Sequence, residues 1–173
     1  MKSYFEPTGR LIMSIGKDLI KDLPAALVEL VKNSYDADAS YVKITYLKNE
    51  SELKIVVEDD GHGMSKETVL NAWMVPSTDY KLKKKNSPKG RAYQGRKGIG
   101  RYAVSLLGNK LELITIKDGL KTMAHFDWDE FNSEKKLSEI PIVITTSETV
   151  DNSGTKLIIT NEYGNVLADE ISE

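Results

Sequence analysis

The order in which apolar periodicity changes along the chain restricts its architecture more than any other feature. Helical spacing comes first: Leu11, Ile12, Ile15 and Leu19 within residues 10–22, then a second stretch, ALVELVKNSYDADAS, over 26–40. Pro24 suits the first turn of that second helix, where it loses no helical hydrogen bond. Two strand-like runs follow, 41–47 and 53–57, and Ser65 is placed to cap a helix running through Ala72 and Trp73. After a long segment without periodicity, a helix is expected over 99–107, stopped by Gly108 in the left-handed position that ends many helices. Four strands close the chain, 111–116 and 121–128 as a hairpin around Asp118-Gly119, then 142–146 and 156–160. Strand and helix do not alternate here as a doubly wound sheet requires. The order predicts an α+β fold, a two-layer α/β sandwich with a mixed, mainly antiparallel sheet covered on one face by helices.

Composition narrows the chemistry. The 173 residues suffice for one domain, and 40% hydrophobic with 29% charged residues is an ordinary globular balance. With no cysteine there is neither a disulfide framework nor a thiolate metal site, and two histidines argue against a zinc enzyme. No apolar run has the length of a membrane span, and MKSYFEPTGR has no apolar signal region, so a cytoplasmic protein without membrane attachment is expected. The net charge of −2 hides an asymmetry: residues 76–101 hold nine Lys and Arg side chains against Asp79 alone. Such a block is a solvated loop or an anion-binding one. About twenty residues without periodicity are more often a lid or binding loop than a connector.

Two common nucleotide signatures fail. Gly90 to Gly95 has the glycine spacing of a P-loop, but Arg96-Lys97 stands where Lys-Ser/Thr is required. A dinucleotide fingerprint beginning at Gly98 needs glycine at Ala103. What remains is four separated elements. Glu29, Asn33 and Asp36 fall within about 60° of one another on the 26–40 helix. Asp60-Gly61-His62-Gly63-Met64 puts an acid and two glycines at a strand end. Gly98-Ile99-Gly100 opens a helix straight after the basic block, and Gly154-Thr155 opens a late strand. Singly they read as a wet helix face, a turn, punctuation and a common dipeptide. Their joint order and spacing is specific.

In that order they resemble the GHKL ATPases, the superfamily of gyrase B, the ninety-kilodalton heat-shock chaperones, histidine kinases and MutL. The resemblance runs from Ala25 to Thr160. ELVKNSYDA is similar to the family's N box and DDGHGM to its adenine-reading box; GRKGIGRYA resembles the glycine box that closes the lid, and GTKLIIT the last box. The resemblance implies the Bergerat fold, a single domain over 1–173 and an ATP lid at about 76–97. It implies Mg²⁺ and ATP as cofactors, with Glu29 as the general base for the attacking water. Asn33 is then the Mg²⁺ ligand, since its amide oxygen suits a hard cation. Asp36 supports the nucleotide's polar surroundings. Asp60 accepts the adenine amino proton, with Gly61 and Gly63 allowing close backbone approach and Met64 covering the purine. Thr155 assists the same edge. Gly98, Ile99, Gly100 and Arg101 open a helix N-terminus toward the phosphates, with Lys97 screening charge.

The implied function is an ATP-binding and slowly hydrolysing switch or dimerisation clamp, related to chaperone-like or MORC-like ATPases, within a larger protein. A downstream transducer domain is expected to be absent from this chain. The resemblance also implies ATP and ADP as partners and an ATP-dependent homodimer in the full-length protein. Two alternatives stand beside it: a nucleotide sensor without hydrolysis, and a nucleic-acid-associated module that uses the basic lid.

Overall fold

The structure is a computed structural model that describes residues 4, 6–20, 22–75, 85–95, 100–131 and 134–162; for 15–19, 100 and 101 it describes the backbone alone. Helix α1 spans Arg10–Leu19 and α2 spans Leu23–Asp36. Asp22 caps α2 by accepting from the Ala25 amide at 2.8 Å, and Pro24 sits in the first turn, as its fixed φ favours. Strands β1 (Val42–Lys48) and β2 (Leu53–Asp59) form an antiparallel pair. The Ser65 hydroxyl caps the short α3 (Lys66–Thr68), which continues as a π turn over Val69–Trp73. Beyond residues 85–95, a 3₁₀ turn (Gly100–Ala103) leads into α4 (Val104–Leu107).

Gly108 ends α4 in extended backbone, φ −177°, and not in the left-handed position expected of a helix-ending glycine. Its small size is what matters there, because a Cβ would lie 2.5 Å from the Thr160 carbonyl oxygen. Then come β3 (Lys110–Lys117), β4 (Leu120–Asp127), α5 (Trp128–Phe131), a 3₁₀ turn (Leu137–Glu139), β5 (Val143–Glu148) and β6 (Gly154–Asn161). Asp118 and Gly119 take positive φ angles of 52° and 75°, the geometry of the two-residue hairpin that Asp-Gly predicted.

The sheet order is β1-β2-β6-β3-β4-β5, and all five pairings are antiparallel, which narrows the expected mixed sheet. Strand β6 is thus threaded between β2 and β3, far from both in sequence. Alternation buries Leu53, Ile55 and Val57 of β2, Leu111 and Leu113 of β3, Ala124 and Phe126 of β4 and Leu157 and Ile159 of β6 on one face. Ala26 and Leu30 of α2, with Tyr102, Ala103, Val104 and Leu107, close over that face as one continuous core. Among the described residues no helix is long and apolar enough to cross a membrane.

Candidate functional site

A cavity of about 520 Å³ opens between the helical layer and the sheet, where β2 and β3 end and β6 begins. That volume is in the range of small-molecule sites. Helix α2 gives it Leu30, Asn33, Ser34 and Asp36; the turn after β2 gives His62, Gly63 and Met64. The π turn supplies Ala72 and Trp73, the sheet supplies Val57, Asp59, Lys117, Thr155 and Leu157, and residues 86–93 form the remaining wall. A π turn within a helix often marks a functional site.

Among the described residues the lining holds two carboxylates, Asp36 and Asp59, and Asp59 is the one at the sheet. Its Oδ2 accepts from the Ser34 hydroxyl at 2.7 Å, and its Oδ1 accepts from the Gly61 and Thr155 amides at 3.0 and 3.2 Å. Burial pushes the Asp59 carboxyl above its ordinary value; the three donors oppose that and neighbouring Asp60 adds to it. Beside it, the buried Thr115 hydroxyl accepts from the Met64 amide at 2.8 Å and lies 3.1 Å from that of Thr155. Gly63 holds φ +61°, and a Cβ there would lie 1.9 Å from the Ile116 carbonyl oxygen. The close approach this glycine permits is to β3.

At the other edge, Asn33 lines the cavity, and Glu29 one turn earlier sits half-buried, paired with Lys32 at 2.7 Å and off the lining. The buried Asp36 carboxylate accepts the Gln94 and Gly95 amides at 2.7 and 3.0 Å. Asp38, also buried, accepts from the Ser87 hydroxyl at 2.5 Å and the Lys89 amide at 3.0 Å. Burial raises the Asp38 carboxyl, but those two donors, Arg91 and His62 together bring it below the usual carboxylate value.

The model of the family described as "Histidine kinase-, DNA gyrase B-, and HSP90-like ATPase" matches residues 21–157. The chain belongs to that family. Its two-layer architecture is the family's Bergerat fold. The chain is 35% identical over 104 residues to ATPase morc-1 of Caenorhabditis elegans, covering 57% of this chain and 11% of that protein. It is 34% identical over 104 residues to Chaperone protein HtpG of Oceanobacillus iheyensis, covering 58% of this chain and 16% of the chaperone. It is also 32% identical over 106 residues to a protein of Herpetosiphon aurantiacus named, provisionally, a type II restriction enzyme, HgiDII, covering 61% and 17%. The chain thus matches less than a fifth of the length of each of these relatives.

On this domain the expected motifs distribute unevenly. Asn33, Asp36, Gly63, Met64 and Thr155 line one cavity, and Gly61 is packed behind it against Ala37. Asp60, the carboxylate expected to face an adenine, points elsewhere: it accepts from the Ser40 and Tyr41 amides at 2.7 and 3.1 Å and from the Ser40 hydroxyl. Side-chain alternation explains the difference. Leu53, Ile55 and Val57 face inward, so the next inward position is Asp59, and Asp60 falls outside the cavity. Ending the strand at Val57 concealed that; carrying the alternation two residues further finds Asp59. Lys97, Gly98 and Ile99 lie outside the described residues, as does the 76–84 part of the lid, while Gly100 and Arg101 begin the 3₁₀ turn. Ser34, Thr115 and the Asp38 cluster had no signal in the sequence, since their roles depend on partners from distant segments.

Proposed function

We propose that this domain binds Mg²⁺ and ATP in the cavity between α2 and the sheet, hydrolyses ATP slowly by itself, and serves as a nucleotide-driven switch within a larger protein. The observation that carries the reading is Asp59, an acceptor oriented by three donors in a cavity that Leu30, Val57, Met64, Trp73 and Leu157 also line. That arrangement fits a flat ring bearing one amino donor. A charge-assisted bond of this kind contributes roughly 1.5–3 kcal/mol. The same carboxylate repels the oxygen that guanine carries at that position, so ATP is favoured over GTP.

Asn33 opens onto the same space, and its amide oxygen is the group that would hold Mg²⁺ beside the phosphates. A cation held there would partly neutralise the charge of the phosphates. Glu29 lies one helical turn away on the same helix, paired with Lys32, and it is the residue we assign as the general base. It takes the proton of a water that attacks the γ-phosphorus, while the bond to the bridging oxygen breaks to give ADP and phosphate. General-base assistance is typically worth ~10²–10⁴ in rate. Glu29→Gln therefore keeps ATP affinity and loses hydrolysis, which distinguishes a hydrolytic switch from a pure sensor.

Titration calorimetry with ATP and GTP, with and without Mg²⁺, tests the site. Asp59→Asn is expected to abolish the ATP preference and weaken ATP by at least about tenfold, and Asp60→Asn to leave both nearly unchanged. Equal affinity of the unaltered domain for ATP and GTP, or a loss at Asp60 in place of Asp59, defeats the assignment.

A further inference from the structure

Asp38 occupies the position just past α2 where helices commonly end on glycine. Its φ is +62°, and the chain closes there with the Ala39 amide donating to Ser34 O and the Asp38 amide to Tyr35 O, each at 3.1 Å. Glycine makes this turn with less strain, so the cap alone does not account for a carboxylate that is 4% exposed. The account lies in residues 85–95. Ser87 Oγ and the Lys89 amide both donate to Asp38, and the Arg91 guanidinium lies 4.0 Å from the same carboxylate. Arg91 also donates to the Ala39 and Tyr35 carbonyls at 2.8 and 3.3 Å and stacks over the Tyr35 ring, 4.9 Å from its centre. Asp36 takes the Gln94 and Gly95 amides from the far end of the segment. Internally, Ser87 and Arg91 close the turn on themselves through Ser87 N to Arg91 O at 2.8 Å and Arg91 N to Ser87 Oγ at 3.0 Å.

We propose that Asp38 is a positioning residue of the nucleotide site: with Arg91 and Asp36 it fastens residues 85–95 to the C-terminal end of α2 as a standing wall of the cavity. Every bond in the fastening comes from the chain itself, so it draws nothing from a nucleotide. Asn86, Pro88 and Tyr93 are thereby held at a fixed distance from Asn33, which rides on the same helix. The inference rests on the cavity being the ATP site.

The decisive variant is Asp38→Gly, which retains the helix-ending turn and removes only the carboxylate. Hydrogen exchange at the Lys89, Gly90 and Arg91 amides, measured without nucleotide, is expected to accelerate at least about tenfold. ATP affinity and KM should weaken about five- to twentyfold, with kcat at saturating ATP within about twofold. Asp38→Asn, which tolerates the same backbone and keeps an acceptor, should restore most of the affinity, and Arg91→Ala, which leaves the Asp38 carboxylate in place but removes the bonds to the Tyr35 and Ala39 carbonyls, should move exchange and affinity in the same direction as Asp38→Gly. Unchanged exchange in Asp38→Gly overturns the fastening, and faster exchange with unchanged ATP affinity overturns the positioning role. Should the unaltered domain fail to bind ATP, the nucleotide reading falls, and the exchange measurement still decides whether Asp38 holds the wall.

Discussion

Asp59 is held in a manner that serves binding more than folding. A carboxyl whose folded pKa is raised favours the protonated state, so its contribution is greatest below the unfolded value and is lost as pH rises through the folded one. At neutral pH the ionised group is therefore a local cost to the domain. Asp59→Asn removes that cost while keeping the geometry: an amide oxygen can take the Gly61 and Thr155 amides, and the amide nitrogen can donate to Ser34 Oγ, which turns its own proton to Leu30 O, 3.4 Å away. The variant is expected to melt at or above the temperature of the unaltered domain at pH 7 in the absence of nucleotide, while its ATP affinity falls. Calorimetric melting checks the first outcome. If Asp59 is the adenine acceptor as proposed, ATP affinity is expected to have the opposite pH dependence from nucleotide-free stability, weakening as pH falls through the raised Asp59 value. Asp38 carries the reverse sign. Its depressed pKa gives stability that is present above about 3.9 and lost as pH falls through the folded value. Acid titration followed at the 85–95 amides should therefore show them losing protection below pH 4 in the unaltered domain, and no such step in Asp38→Gly.

Between β2 and the π turn, the link to the cavity runs through backbone more than through side chains. Gly63→Ala adds a methyl 1.9 Å from the Ile116 carbonyl oxygen at a left-handed φ, so the turn must leave its place on β3. A loss of about 2–4 kcal/mol is expected from the strain and the displaced turn, read as a lowered denaturation midpoint. Thr115→Val keeps the shape but orphans the Met64 amide at a cost of about 1–3 kcal/mol. Trp73 lines the cavity 5.1 Å from the Phe126 ring, whereas Trp128 is buried in the core. Adding ATP should therefore change the tryptophan emission, and Trp73→Phe should abolish the change. At this scale the strands and the major helices were legible, because periods of two and 3.6 residues survive in the side-chain pattern. The Asp-Gly hairpin and the Ser65 cap were legible for the same local reason. The five-residue π turn, the extended Gly108 and the short α5 were not, since each is set by what packs against it. The same division applies to the site: Asn33 and the glycines were visible as motifs, but the orientation of Asp59 against Asp60 depended on where a strand ends.

For the whole molecule, the sheet order places the core's centre at β6. Ile159 is fully buried between β2 and β3, so Ile159→Ala is expected to cost about 2–5 kcal/mol, enough to endanger a domain of this size in urea titration. The basic segment lies beside the cavity only through residues 85–95 among those described, where the Lys89 ammonium donates to the Asp38 carbonyl at 3.4 Å and the Arg91 guanidinium to the Ala39 carbonyl at 2.8 Å. That arrangement weakens a nucleic-acid role for these two side chains.

Threading β6 between β2 and β3 also has a consequence for synthesis. The Thr155 amide that steadies Asp59 belongs to a residue 96 positions later, and the β2–β6 ladder closes a loop of comparable length. Contacts of such separation form late and slowly. A chain still emerging from the ribosome holds Asn33, Asp59 and Gly63 without the strand that shapes their cavity. The proposed nucleotide site is therefore expected to be incomplete until β6 has been made, so that nucleotide loading waits on the last strand of the sheet.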